Sequence, residues 1–192
     1  MEKEYRRVIS DSRITSSKSY NDLLYGWIVL QSEEENGKRF LWKRSFIYSQ
    51  LEQELQMSRK TMAKYFDYLL EIGVIVEEKD KWVLSELGDG GFWIERDILE
   101  RIINMKVRYA LSIYVYLVKG YYVAKQPQLV VLMENVKGYI GVSVNIRSNN
   151  YIVSDIFEAY REMGLLNCQL WYDKDTNKRF YKLMGVGKTN YF

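Results

Sequence analysis

Basic side chains concentrate between residues 38 and 64 of this 192-residue chain. The segment holds seven Lys and Arg residues but only two acids, Glu52 and Glu54. Cations at this density contact phosphates, and Arg or Lys also reads base edges in a groove. Because the net charge of the whole chain is only +3, the local cluster indicates an anionic partner more strongly than the total charge does.

Residues suited to catalysis are scarce. The chain has no histidine and a single cysteine, Cys168, so the commonest general base, the commonest zinc ligand and an internal disulfide are all missing. A tyrosine nucleophile assisted by arginines remains conceivable for cutting DNA, but a histidine-ligated nicking site cannot form. We therefore expect a binding protein that is not an enzyme, with no metal and no cofactor.

The stretch from Met57 to Ile75 must position the strongest part of the basic cluster. Ser58 is a typical N-cap, and the apolar residues after it recur at helical spacing. Gly73 is expected to end the helix before a strand begins at Val74. The exposed opening turns of this helix would then carry the candidate contacts Ser58, Arg59, Lys60, Thr61 and Lys64.

The elements around this helix follow a recognisable order. The pattern predicts a helix, a short strand, a second helix, a tight turn at Gln56 and Met57, the basic helix, and a two-stranded hairpin. This is the order of a winged helix-turn-helix domain. The predicted elements around the basic helix are a helix from Asp22 to about Glu34, a strand from Arg39 to Lys43, a helix from Ser45 to Leu55, and strands from Val74 to Glu78 and from Lys81 to Leu84. Lys43 and Arg44, between the first strand and second helix, are further candidate DNA contacts.

A weak internal repeat suggests a second domain of the same kind. Residues 58–75 align without a gap on residues 149–166, with Phe66, Glu71 and Gly73 repeated at a separation of 91. Extended upstream, the same separation places Tyr48, Leu51 and Leu55 on Tyr139, Val142 and Ile146. The helix, glycine and strand pattern therefore predicts two winged helices.

The second copy differs on its exposed side. Its helix would open with Asn149, Asn150 and Tyr151, preceded by Arg147, and these side chains can contact bases or phosphates. Lys174, Lys178 and Arg179 lie in the loop of the following hairpin, where they would contact phosphate or enter a minor groove. The alternative is an ordinary solvated hairpin.

The predicted fold is α+β and mainly helical, with two winged helix-turn-helix domains in tandem. The predicted divisions are an N-terminal arm at 1–19, a first domain at 20–85, a linker at 86–97 and a second domain at 98–192. The arm is either a phosphate-tracking strand or a solvated tail. The tryptophans at 42, 82, 93 and 171 could stack on unpaired bases, but their positions in the pattern favour core packing.

The segment LEQELQMSRKTMAKYFDYLLEIGVI and its echo resemble tandem winged-helix proteins, in particular plasmid and phage replication initiators of low-GC Gram-positive bacteria. The resemblance implies binding to double-stranded DNA, with Arg59, Lys60, Thr61 and Lys64 facing the major groove. It also implies possible homodimers or partners in replication or transcription. A transcriptional regulator, a conjugation accessory protein and a protein-interaction scaffold without DNA binding remain alternatives.

The sequence also bears on location. The longest apolar run, from Ala110 to Val118, is about half the roughly 20 residues that span a membrane. The opening MEKEYRRV lacks the apolar core of a signal peptide, and the single cysteine suits a reducing compartment. We therefore expect a cytoplasmic protein with no membrane partner.

Overall fold

The chain is represented by a computed structural model that describes residues 4–9, 20–85, 91–125, 128–146, 148–176 and 178–186. Within these ranges it has seven α-helices and nine strands in three antiparallel sheets, so the predicted α+β class is confirmed. The chain divides into two units. The described residues up to Leu111 form the first unit, and those from Ser112 onward form the second.

The first unit contains four helices. Asn21 caps the first of them by accepting the Leu23 N–H at 2.9 Å, which satisfies one of the free amides of the opening turn. Nine of its ten residues are buried, which fits a helix that is apolar on every side. The helices are α1 (Asp22–Gln31), α2 (Tyr48–Leu55), α3 (Arg59–Glu71) and α4 (Arg96–Asn104).

Two sheets accompany these helices. The larger sheet has the order β2-β3-β5-β4, and the smaller sheet pairs β1 with β6. The strands are β1 (Tyr5–Ile9), β2 (Glu33–Glu35), β3 (Lys38–Trp42), β4 (Ile75–Glu77), β5 (Lys81–Leu84) and β6 (Gly91–Glu95). A 3₁₀ turn at Lys43–Ser45 connects β3 to the segment before α2.

The core of the first unit joins α3, and the segment just before α2, to the larger sheet. Phe46, Phe66 and Trp82 pack as an aromatic cluster with ring centroids 4.7 to 5.3 Å apart. The predicted packing role of Trp82 is therefore correct. Met62 is completely buried beside this cluster on the inner side of α3, so the outer side of that helix is left for solvent or a ligand.

The second unit has three helices and one sheet of order β7-β9-β8. Its core includes a stacked pair, Phe157 and Tyr181, whose ring centroids are 3.6 Å apart. The Tyr181 hydroxyl donates to the Ser154 hydroxyl at 3.0 Å. The elements are α5 (Ala110–Ala124), β7 (Leu129–Leu132), α6 (Met133–Tyr139), α7 (Ser148–Glu162), β8 (Leu166–Asp173) and β9 (Lys178–Val186).

The two units share an order of elements. Each has a helix, then a strand that precedes a pair of helices, then a hairpin. In each, the strand before the helix pair hydrogen-bonds to the last strand of the hairpin, giving β3-β5-β4 and β7-β9-β8. The first unit adds β2 at the edge of its sheet. This shared order extends the internal repeat from the sequence to the strand pairing.

The end of the second helix in each pair is also repeated. Gly73 and Gly164 have φ angles of +71° and +66°, a conformation that glycine adopts without a Cβ penalty. The amide of the residue after each glycine donates to the carbonyl five residues earlier, at 3.0 and 2.9 Å. These are Schellman turns, and they confirm the predicted role of glycine in ending both helices.

The upstream extension of the repeat is wrong. Its register places α2 on residues 139–146, whereas α6 ends at Tyr139, and Val142 and Ile146 lie in the connection to α7. Gly141, with a φ angle of +69°, forms the turn that ends α6 earlier than the alignment requires. The connection between the paired helices is therefore longer in the second unit, and no ungapped alignment could include both helices.

The domain divisions differ from those expected. Part of the expected linker, residues 91–95, is strand β6, and the division between the units lies in the first turn of α5. Strand β6 pairs with β1, so residues 5–9 of the expected arm belong to the first unit. Residues 10–19 and 86–90 lie outside the described ranges. Local composition could not reveal a pairing between strands so distant in sequence.

None of the helices in the described ranges has both the length and the apolarity required to cross a bilayer.

Candidate nucleic-acid interface

The turn between α2 and α3 orients the basic face of α3. Gln56 ends α2 in the left-handed conformation, with a φ angle of +52°, and Ser58 follows as the N-cap of α3. The Ser58 hydroxyl accepts the Thr61 N–H at 3.3 Å. The turn contains only residues 56–58, so the buried sides of α2 and α3 fix the direction in which the start of α3 points.

Three cations occupy the outer side of the first half of α3. Arg59, Lys60 and Lys64 are exposed, and none of them makes an ion pair with another described residue. The Arg59 guanidinium lies 4.9 Å from the centroid of the Tyr48 ring, a cation–π contact that restrains it. The full charge of this face is therefore available to an anionic ligand.

A carboxylate limits what the helix end itself can bind. Glu52 accepts the backbone N–H of Arg59 at 2.7 Å. This bond satisfies one of the amides that a helix N-terminus otherwise offers to a phosphate. Contacts from α3 must therefore depend on its side chains.

The remaining first-unit candidates have mixed roles. Lys43 forms an ion pair with Glu77 at 2.7 Å, so its charge is already compensated. Arg44 is exposed and lies 5.3 Å from the centroid of the Trp42 ring. Thr61 is half-buried, with its hydroxyl 2.9 Å from that of Ser58, and its side chain therefore supports the cap.

The hairpin of the first unit is acidic. Glu77, Glu78 and Asp80 are exposed around its tip with Lys79 as the cation between them. The Lys43 N–H donates to the Asp80 carbonyl at 3.0 Å, which ties the 3₁₀ turn to the hairpin. Of the two interpretations left open by the sequence, this charge favours a hairpin that closes the unit over one that grips phosphate.

The opening of α7 differs from that of α3. The Asn149 amide donates to the Ser143 carbonyl at 2.8 Å, which holds the preceding connection and occupies one of its donors. Asn150 is half-buried, whereas Tyr151 is 63% exposed. Asp155, exposed one turn further on, adds a negative charge. Arg147 lies outside the described residues.

The hairpin of the second unit extends beyond its sheet. β7 pairs with β9 only as far as Leu132 and Phe180, whereas β8 and β9 continue to pair through Tyr172 with Arg179 and Asp173 with Lys178. The last two rungs therefore lack a third strand. The three cations predicted here, Lys174, Lys178 and Arg179, are all exposed on this extension.

Hydrogen bonds order the tip of this hairpin. Asp173 accepts the Thr176 hydroxyl at 2.6 Å and the Asp175 N–H at 3.0 Å. The Thr176 bond, followed by the Asp175 bond, holds the pKa of the Asp173 carboxyl below its usual value. The carboxylate therefore acts within the turn.

The expectation that all four tryptophans pack in the core is wrong for two of them. Trp171 is 56% exposed and Trp93 is 45% exposed. Trp171 lies directly opposite Phe180, and its ring centroid is 5.5 Å from that of Phe180. Strand alternation alone could not show which face of the edge strand β8 is covered.

The described residues contain no group of three acidic, cysteine or histidine side chains placed to hold a metal ion. Comparisons of the chain with protein-family models, with curated proteins and with solved structures find no match.

Proposed function

We propose that the chain is a sequence-specific double-stranded DNA-binding protein composed of two winged helices, with α3 as the main recognition helix. The observation that carries this proposal is the exposed, uncompensated basic face of Arg59, Lys60 and Lys64 on a helix that follows a short capped turn.

The order and pairing of elements support the assignment of two winged helices. A helix, a strand, two further helices, and a hairpin whose last strand pairs with that strand occur in both units, although the two paired helices are joined by a longer connection in the second unit. In such domains the second helix of the pair enters the major groove while the hairpin lies beside the backbone. α3 and α7 occupy that position in the chain.

The chemistry of α3 suits base recognition at one end of the helix. Arg59 and Lys60 lie in its first turn, and Arg or Lys donates to the acceptors of guanine in the major groove. Asp67 and Glu71 are exposed in its second half, where phosphate would be repelled. The first half of α3 is therefore the part that we propose enters the groove.

The second unit would add backbone contacts. Its hairpin carries Lys174, Lys178 and Arg179, and phosphate contacts fix register without reading sequence. We propose replication initiation in a plasmid or phage as the biological process, on the strength of the sequence resemblance to such initiators.

Selection from a random-sequence duplex library tests this proposal. We expect a recovered motif, and we expect Arg59→Ala with Lys60→Ala to abolish enrichment, because a lost bidentate base contact costs about 1–3 kcal/mol. Lys64→Ala should weaken binding to the selected site, whereas Lys119→Ala, an exposed lysine on α5, is the matched control and should not. Absence of any enriched duplex motif would refute DNA recognition and favour a protein-interaction scaffold.

A further inference from the structure

The outer face of the β8–β9 hairpin combines an exposed tryptophan, a half-buried phenylalanine and two lysines. Trp171 and Phe180 are directly opposite each other across the strands, so their side chains lie on the same face. Lys178 and Lys182 lie two residues to either side of Phe180, on that face and about 7 Å from it along the strand. Two aromatic rings thus have a cation on each side.

The core of the unit does not account for this arrangement. Tyr181, one residue from Phe180, is buried against Phe157, whereas the Trp171 ring on the opposite face is 56% exposed. Exposing a large indole to water forfeits the favourable free energy of its burial. A surface that keeps this ring beside cations indicates a ligand that is both planar and anionic.

We propose that the outer face of this hairpin binds single-stranded DNA, with Trp171 and Phe180 stacking on unpaired bases while Lys178 and Lys182 contact the adjoining phosphates. Intact duplex exposes base edges and phosphates, whereas base faces become accessible only when the strands are unpaired. The flat aromatic surface therefore matches the unpaired form. This inference rests on the proposed DNA-binding function. It assigns duplex DNA to α3 of the first unit and single-stranded DNA to this face of the second unit.

The nearby acid offsets only one of these charges. Asp173 lies on the same face opposite Lys178, and hydrogen bonds from the hairpin turn hold its pKa below the usual value, so it stays ionised beside that lysine. Lys182 lies opposite the neutral Gln169. Lys178 and Lys182 make no ion pair within the described ranges. The face thus keeps a net positive charge beside the rings, as proteins that bind single strands do.

Fluorescence anisotropy of a labelled 15-nucleotide oligo-dT provides the test, with the selected duplex measured in parallel. We expect Trp171→Ala to weaken oligo-dT binding about 5- to 100-fold, because stacking on an aromatic ring contributes that much per base. Binding to the duplex should change less than about twofold, since α3 is unaltered. Trp93→Ala, which removes another exposed tryptophan, is the matched control and should leave both affinities unchanged.

Two further variants keep the test valid if Trp171→Ala unfolds the unit, which thermal denaturation will report. Trp171→Phe retains a ring and should keep most of the oligo-dT affinity, but it should lose the part of the tryptophan fluorescence that oligo-dT quenches in the unmodified protein. Lys178→Ala with Lys182→Ala should weaken oligo-dT binding. It should also make the slope of log K against log salt about 1.4 less steep, because each of two lost phosphate contacts removes roughly 0.7.

The outcomes separate this inference from the proposed function. Wild-type protein that binds the duplex but not oligo-dT would overturn the inference and leave duplex recognition standing, whereas binding to neither would overturn both. An equal loss of both affinities in Trp171→Ala would make the Trp171 and Phe180 face itself a duplex contact and overturn the inference. Sedimentation will also show whether the wild-type protein self-associates. If Trp171→Ala abolishes that self-association and leaves oligo-dT binding unchanged, the face binds a second copy of the chain and the inference is refuted.

Discussion

Removal of the α3 cations provides a quantitative test of the proposed binding to duplex DNA. Six exposed cations lie on α3 and on the β8–β9 hairpin, and none of them makes an ion pair with a described residue. Lys43 is left out because Glu77 compensates it. The six are Arg59, Lys60, Lys64, Lys174, Lys178 and Arg179.

Each phosphate contact lowers the slope of log K against log salt by about 0.9. If all six cations neutralise phosphate charge, including those of α3 that also reach base edges, the slope is about −5.4, and raising NaCl from about 0.1 to 0.3 M weakens binding about 400-fold. Replacing the three α3 cations with alanine should reduce the slope to about −2.7 and the loss over the same range to about 20-fold. The corresponding hairpin variant should show a similar slope.

Anisotropy titrations of the selected duplex at five salt concentrations would measure these slopes, with Lys119→Ala as the control. A steep slope that survives in the α3 variant would refute the assignment of α3 to the DNA interface. If the salt dependence stays steep in the variant that lacks the hairpin cations but not in the α3 variant, the contacts with duplex DNA come from the first unit alone.

Two further predictions concern the fold that supports these surfaces. Gly73→Ala and Gly164→Ala should each lower the free energy of unfolding by roughly 1–2 kcal/mol, because each forces an L residue into the left-handed region. The expected drop in Tm is about 4–16 °C for a unit of this size. No neighbouring atom lies within 4 Å of the added Cβ at either site, so backbone strain alone sets this loss of stability. Gly138→Ala in α6 is the control. Its φ is negative and its surroundings are equally open, so it should not destabilise the chain. The buried Cys168 should react slowly with a thiol reagent at about pH 8, because burial raises the pKa of its thiol and the thiolate is the reactive form, and guanidinium should make the reaction fast. Equal destabilisation by Gly138→Ala, or rapid labelling of the native protein, would contradict the packing described here.

Local sequence signals account for much of the first unit. Ser58 as an N-cap, Gly73 as a helix end and the strand from Lys81 to Leu84 were all predicted, since each depends on interactions within a few residues. Strand β2 was missed because its three glutamates are exposed and carry no apolar alternation. Its position is set by pairing with β3 through the Asn36–Gly37 turn.

Tertiary context explains the remaining differences. Trp171 is exposed because it lies on the edge strand β8, on the face opposite the buried Tyr181, and no pattern within β8 records which face is covered. The compensation of Lys43 by Glu77 depends on strands that are distant in sequence, and the use of Asn149 in a bond to Ser143 depends on the path of the α6–α7 connection. The sequence could therefore predict which residue types are candidates for binding. It could not predict which of these side chains are left without a partner inside the protein and so can contact a ligand.

The two units place positive charge on different elements. In the first, the helix is basic at its start and the hairpin tip is acidic. In the second, Asn150, Tyr151 and Asp155 stand where the first helix has Arg59, Lys60 and Lys64, and the hairpin carries the cations. The buried positions and the glycine turns are retained in both. A pair of units that read DNA in the same way would require the same exposed helix side chains. Because only the packing side is retained, we infer that the first unit specifies bases through α3 and that the second holds the strand through its hairpin.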